Sequence, residues 1–325
     1  MSDLRVAFFG SPDFAVPTLK ALLESAYRPV VVVTQPDRGA GRGRALRPPP
    51  TKVIATAAGI PVLQPNRLRD QEATAALAAF QPDLQVIVAY GQILRPEVLA
   101  IPRCGTLNVH ASLLPRWRGA APIAAAIRAG DHESGVTIML VDEGEDSGDM
   151  LTSLVEPIHD DDDAGSLGDR LSVRGASLLL DTIPRWLAGE LTPEKQDPTL
   201  VTRARRLKKE DGVIDWTQPA VEVWRQIRAL SPWPGATTTL GGVGIRIWQA
   251  ELATGEDPGS PGQPGVVPGT VIDCGDSMRV QTGDGVLRVV TIQRAGKRTM
   301  DVSAFARGER ELVGKRLGTT TPEIV

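Results

Sequence analysis

Residues 6–34 read VAFFGSPDFAVPTLKALLESAYRPVVVVT, and this stretch decides the fold. Val6 to Phe9 is an apolar run too short for a helix, stopped by Gly10-Ser11-Pro12-Asp13. Apolar residues then recur at helical spacing through Phe14, Val16, Leu19, Leu22 and Leu23, before a second apolar run, Val30 to Thr34. Strand, turn, helix and strand open a parallel α/β sheet, because parallel neighbours need a crossover connection of this length. An alanine-rich helical stretch before Leu84 to Ala89 repeats the pattern. Open sheets bind ligands at the carboxyl ends of their strands. Gly10, Tyr90 and the end of the next strand, Thr106 to His110, are therefore expected to converge on one crevice.

Along Thr106-Leu107-Asn108-Val109-His110 the side chains alternate between faces, which sets the Asn108 amide beside the His110 imidazole. Pro115, Gly119 and Pro122 break regular structure immediately afterwards, so this stretch reads as an ordered loop. A short helix, Ile123 to Arg128, leads to a strand, Gly135 to Val141, and then to an acidic turn, Asp142 to Asp149. The chain returns as an extended segment, Met150 to Ile158. An amide and an imidazolium aimed at one carbonyl form an oxyanion site, and an aspartate of the acidic turn facing His110 would orient it. There is no Gly-x-Ser-x-Gly elbow, and Cys104 stands at the start of its strand rather than at its tip. The chemistry allowed is direct acyl transfer without a covalent enzyme adduct. The alternative is a core histidine with a satisfied partner and an acidic turn that is simply solvated.

At 325 residues the chain exceeds one ordinary core, and two domains are expected. A hydrophobic share of 42% against 23% charged excludes wholesale disorder. The net charge of −3 gives no global reason to bind nucleic acid, so any such contact must come from local basic patches. Cys104 and Cys274, the two cysteines, have neither disulfide-framework nor zinc spacing. EF-hand, P-loop and dinucleotide fingerprints are missing. Without a basic leader or a long apolar window, a cytoplasmic protein with no membrane partner is expected.

Two basic patches stand out. Between Gln35 and Pro50, Arg38, Arg42, Arg44 and Arg47 are punctuated by glycine, as in a flexible loop that is either a solvated insertion or an arm for a polyanion. Arg203 to Lys209, with Arg206, Lys208 and Lys209, follows a linker-like stretch, Thr192 to Thr202, and is either solvated surface or an extension of that track. Asp160 to Asp163 read as the start of a helix through Leu167, Leu171 and Leu178 to Leu180. His132 and His159 lie in polar surroundings. The last third holds a helix, Ala220 to Leu230, and a Pro232-Trp233-Pro234-Gly235 corner. Five β-like runs follow: Ala236 to Leu240, Val243 to Trp248, Gly265 to Asp273, Met278 to Gln281 and Val286 to Gln293. They suggest a small barrel of the oligonucleotide-binding kind, with Gly255 to Gly269 as a loose loop.

Asn108-x-His110, then Ser112-Leu113-Leu114-Pro115-Arg116-Trp117-Arg118-Gly119-Ala120-Ala121-Pro122 and Asp142 to Met150, resemble the signature of the folate-dependent formyltransferases. The resemblance is closest to the branch that formylates methionyl initiator tRNA, and it spans nearly the whole chain. It includes Phe9 to Phe14, Thr34 to Arg38, Ala89 to Leu94, Lys209 to Trp216 and Ile227 to Ala236. It implies an open, mostly parallel Rossmann-like catalytic domain over residues 1–190, a basic linker over 191–210 and a tRNA-binding, OB-like β-barrel over 211–325. It also implies 10-formyltetrahydrofolate as donor, no metal, and a monomer as the working state. By position, Asn108 and His110 would hold the formyl oxygen, with Asp146 orienting His110 and helping to relay the proton. Tyr90, Gly91, Ile93 and Ser112, Leu113, Leu114 and Pro115 would line the folate site. Arg38, Arg42, Arg44, Arg206, Lys208 and Lys209 would meet the RNA. Glu145 departs from the pattern, which has an apolar residue there, and puts a second carboxylate next to Asp146.

Overall fold

Val6–Gly10 lies between Pro29–Val33 and Leu84–Val88 and runs parallel to both. All five of its residues are buried, as expected of a strand covered on both faces. The computed structural model describes residues 4–40, 45–253, 265–309 and 311–318. They form two compact units, one from Met1–Pro122, Glu133–Pro157 and Gly168–Arg205, the other from Ile123–His132, Ile158–Leu167 and Arg206–Val325.

The first unit holds a seven-stranded sheet in the order Met150–Pro157, Glu133–Leu140, Thr106–His110, Leu84–Val88, Val6–Gly10, Pro29–Val33, Val62–Leu63. The last five of these are mutually parallel, Glu133–Leu140 runs antiparallel to them, and Met150–Pro157 pairs antiparallel with Glu133–Leu140. From Val6–Gly10 the chain first builds towards Val62–Leu63 and then returns to the opposite side with Leu84–Val88. That reversal makes the ends of Gly10 and Val88 the switch point where a crevice opens. Phe9, Val31, Val33, Leu77, Ile87 and Tyr90 share one core. Helix Ala164–Leu187 approaches the Thr106–His110 strand closely at Gly175, where a Cβ would stand 2.8 Å from Val109 Cγ1. Only glycine allows that approach, which seats the strand bearing Asn108 and His110.

In the second unit the antiparallel order is Ala236–Leu240, Val243–Leu252, Val286–Arg294, Met278–Gln281, Val271–Cys274. The outer strands are joined through the segment after Leu312: Leu317 N donates to Gly269 O at 2.8 Å and Gly318 N to Thr239 O at 2.9 Å. Ile214, Trp216, Ile245, Ile247, Val280, Leu287 and Phe305 fill the interior. A sixth strand, Thr299–Asp301, and a helix, Val302–Gly308, were not expected, because three residues are too few to show alternation. The expected run Gly265 to Asp273 is regular strand only over Val271–Cys274, and the first part of the Gly255 to Gly269 stretch lies outside the described residues. Asp163 begins the long helix as expected, its Oδ1 accepting from Ser166 N at 2.8 Å.

The basic segment after Gln35 differs from the flexible loop read from its glycines. Arg38–Ala40 and Ala45–Arg47 pair antiparallel, with Arg38 opposite Arg47. The base of this ribbon is tied down by Asp37, whose carboxylate accepts from Lys52 Nζ at 2.9 and 2.8 Å and from Gln64 Nε2 at 2.8 Å. Among the described residues no helix is long and apolar enough to cross a membrane.

Candidate active site

Thr106–His110 and Glu133–Leu140 pair so that Asn108 faces Met139 and His110 faces Thr137. Asn108 and His110 point to one face, and Asp146 meets both. Asn108 Nδ2 lies 3.4 Å from Asp146 Oδ1, and His110 Nδ1 lies 3.6 Å from Asp146 Oδ2. His110 is only 6% exposed, with Nε2 at 3.0 Å from the Trp117 carbonyl oxygen. A carbonyl can only accept, so the proton of a neutral ring sits on Nε2 and the Nδ1 lone pair is left on the Asp146 side. The 3.6 Å gap is longer than a hydrogen bond, which leaves Nδ1 able to serve a reacting group.

Asp146 has φ +50, a left-handed conformation that aspartate tolerates better than most residues. Its Oδ2 accepts from Gly119 N at 2.8 Å. Gly119, at φ +114, is required there, since a Cβ would fall 2.7 Å from Ala204 O. Arg118–Gly119 pairs in parallel with Arg203–Ala204, while Trp117 N donates to Thr202 Oγ1 at 2.9 Å. The carbonyl that holds His110 and the N–H that holds Asp146 are thus fixed by residues 202–204. The Gln196 amide donates to Asp146 O at 2.9 Å and Gly148 O at 2.8 Å, while its Oε1 accepts from Arg118 Nε at 2.9 Å. Sequence reading missed Gln196 and Thr202, which lie far from their partners in a stretch with a linker's composition.

Ser112 is buried, its hydroxyl donating to Arg116 O at 2.6 Å. Thr137 Oγ1 bridges the loop by donating to Ser112 O at 2.8 Å and accepting from Leu114 N at 3.1 Å. Leu114 is buried, and Leu113 and Pro115 are half-buried. One strand over, Ala89 at φ +48 and Gly91 at φ +81 flank Tyr90, whose carbonyl accepts from Gln35 Nε2 at 3.1 Å. Tyr90 is 2% exposed and its hydroxyl has no hydrogen-bond partner among the described residues. Burial raises its phenol well above the ordinary value, so it stays protonated as a donor. Ile93 is 72% exposed and a Cβ on Gly91 would meet nothing within 4 Å. A loop with bare backbone at Gly91 and an exposed apolar side chain at Ile93 suits a flat ligand, while the Tyr90 ring lies beneath it in the core.

Glu145 turns away from His110. Its Oε2 pairs with Arg203 at 3.2 Å on the surface, so the second carboxylate of the turn is directed outwards. Arg38, in the ribbon, is exposed and its guanidinium donates to Gln35 Oε1 at 3.1 Å. Arg42 and Arg44 lie outside the described residues. Arg206, Lys208 and Lys209 are exposed in the second unit. His132 and His159 are exposed too, as their polar surroundings suggested.

A doubly wound sheet that presents an amide, an imidazole and a carboxylate together at its strand ends belongs to the class of α/β group-transfer enzymes. Residues 4–183 match the formyl transferase family and residues 206–310 the formyl transferase C-terminal domain. A methionyl-tRNA formyltransferase of Methylococcus capsulatus is 47% identical over 316 residues, covering 97% of this chain and 100% of that protein. The chain belongs to the formyl transferase family, in its methionyl-tRNA formyltransferase branch. The fold likeness extends to more distant proteins. WlaRD, a sugar 3N-formyl transferase solved in the presence of dTDP and 5-N-formyl-THF, superposes with TM-score 0.65 at 18% identity, covering 92% of this chain and 100% of that one. HypX from Aquifex aeolicus, in complex with tetrahydrofolic acid, gives TM-score 0.61 at 18% identity over 95% of this chain, which spans 47% of HypX.

Proposed function

We propose that the chain transfers the formyl group of 10-formyltetrahydrofolate to the amino group of methionyl initiator tRNA, giving formylmethionyl-tRNA and tetrahydrofolate. The observation that carries this reading is the convergence of Asn108, His110 and Asp146 in a chain 47% identical to a methionyl-tRNA formyltransferase. 10-Formyltetrahydrofolate supplies an activated formyl carbon and a nitrogen leaving group. The residues of the chain do the rest. Asn108 keeps one amide N–H on Asp146 and offers the other to the formyl oxygen as it gains charge. His110, its Nε2–H held by Trp117 O, takes the proton of the attacking amine on Nδ1 and, once charged, faces both the oxyanion and Asp146. A bond forms between the amine and the formyl carbon, the bond to the folate nitrogen breaks, and the proton passes to that nitrogen. No nucleophilic side chain or metal enters this sequence of steps.

Tyr90, Gly91 and Ile93, with Ser112, Leu113, Leu114 and Pro115, are the proposed folate pocket. Arg38 on the ribbon, Arg42 and Arg44 between its two strands in the sequence, and Arg206, Lys208 and Lys209 after the linker, are the proposed contacts to the RNA backbone. The proposed working form is a cytoplasmic monomer. The test is an acceptor comparison: purified protein with 10-formyltetrahydrofolate should formylate methionyl-tRNA, with free methionine a poor acceptor. Formylation of an amino sugar or another small amine, with none of charged tRNA, would overturn the assignment.

A further inference from the structure

We propose that Gln196 is a positioning residue for formyl transfer, acting through Asp146. It belongs to neither of the two family matches, which end at 183 and resume at 206. Yet it is 8% exposed, and among the described residues its side chain bonds to Asp146 O, Gly148 O and Arg118 Nε, in the catalytic loops. Both amide hydrogens are committed, one to the carbonyl of Asp146 itself and one to that of Gly148, which pins the turn on either side of Ser147. Its oxygen takes Arg118 Nε, and Arg118 leads directly into Gly119, whose N–H holds the Asp146 carboxylate. One side chain therefore ties the backbone of Asp146 to the strand that grips its side chain.

The need for such a tie lies in the backbone. A left-handed residue in an acidic, half-exposed turn persists only where its surroundings over-determine it. Leucine in place of Gln196 keeps the bulk but takes the Gln196 donor from a buried carbonyl, Gly148 O, and from a partly buried one, Asp146 O, and the turn regains the freedom to rotate Asp146 away from His110. A displacement near 1 Å of a catalytic group costs on the order of 10²-fold in rate.

The proposal rests on the reading of Asp146 as a catalytic residue, and a double-mutant cycle separates the two. Gln196→Leu should lower kcat by about 10²-fold, with KM for both substrates changed by less than about twofold. Placed on top of Asp146→Asn, the same change should cost nothing further, because the group it positions is gone. Gln196→Glu, which keeps the acceptor for Arg118 but cannot donate to the carbonyls, should behave likewise and carries the test if the leucine variant does not fold. A full rate for folded Gln196 variants, or an equal loss in the Asp146→Asn background, overturns the proposal alone. A near-normal rate for Asp146→Asn by itself overturns the underlying reading, and the proposal with it.

Discussion

The backbone N–H of Gly119 donates to Asp146 Oδ2 at 2.8 Å, across 27 residues of sequence. This bond fixes the carboxylate oxygen nearest His110 Nδ1. Gly119→Ala would break the arrangement from behind, since the new Cβ would lie 2.7 Å from Ala204 O at a φ of +114. We expect about 1–3 kcal/mol of lost stability and a fall in kcat exceeding the fall in folate affinity. Thermal unfolding and steady-state kinetics of the same preparation check both, and an unchanged kcat would show that Asp146 does not depend on this strand.

Asn108→Ala removes the neutral donor proposed for the oxyanion, and loss of one such donor costs about 10²–10³-fold in kcat. His110→Asn should cost at least as much, since it removes the proton acceptor as well. Asparagine keeps a small polar side chain at the buried His110 position, and Asn108 is only half-buried, so folate binding followed by fluorescence should survive in both. Rates within tenfold of the unsubstituted enzyme would contradict the proposed roles.

Glu145→Leu places an apolar residue beside Asp146 and removes the surface pair with Arg203. Exposed pairs contribute little, so the unfolding midpoint should move by less than about 2 °C. Because Glu145 faces Arg203 rather than His110, kcat and its pH profile should also stay where they were. A displaced pH profile would mean that the second carboxylate reaches the imidazole in solution.

How far the sequence could be read follows from which contacts are periodic. Asn108 and His110 share a face because a strand repeats every two residues, and that relation needs no tertiary knowledge. Burial of Val6 to Phe9 on both faces is equally local, and it carries the parallel sheet with it. Asp146 is different: it lies 36 residues beyond His110 in a turn with several acids, and only the family resemblance singled it out. Gln196 had no signal at all, since its role is made of bonds to two carbonyls and one arginine. The ribbon at Arg38–Ala40 was hidden because glycine and alanine are poor strand formers, and its pairing is anchored by Asp37, Lys52 and Gln64 outside the run.

Lys52→Met tests that anchor. Hydrogen bonding to Lys52, and then to Gln64, holds the Asp37 carboxyl below its ordinary value of 3.8. A lowered folded-state value means that stability is present above the ordinary value and is lost as pH falls through the folded one. The variant should therefore unfold at a lower temperature than the parent at pH 7, and the difference should shrink below about pH 4. A gap that is constant or widens towards acid would show that Lys52 acts on the ribbon by packing alone.

The ribbon also allows the acceptor to be tested apart from the donor. Arg38 and Arg47 face each other at its base, and Arg42 and Arg44 follow in the segment that joins its two strands. If the ribbon meets phosphate, Arg42→Ala should raise KM for methionyl-tRNA while leaving the folate dissociation constant unchanged. The slope of log affinity against log salt should fall by about one for each phosphate that the protein no longer neutralises. Measuring tRNA affinity between 50 and 200 mM salt, roughly the range over which phosphate neutralisation is most visible, separates this effect from a loss of fold. An equal loss of folate and tRNA affinity, or an unchanged salt slope, would count against a phosphate contact at Arg42 and favour a role of this segment at the proposed folate pocket, since Gln35 bonds both the Tyr90 carbonyl and Arg38.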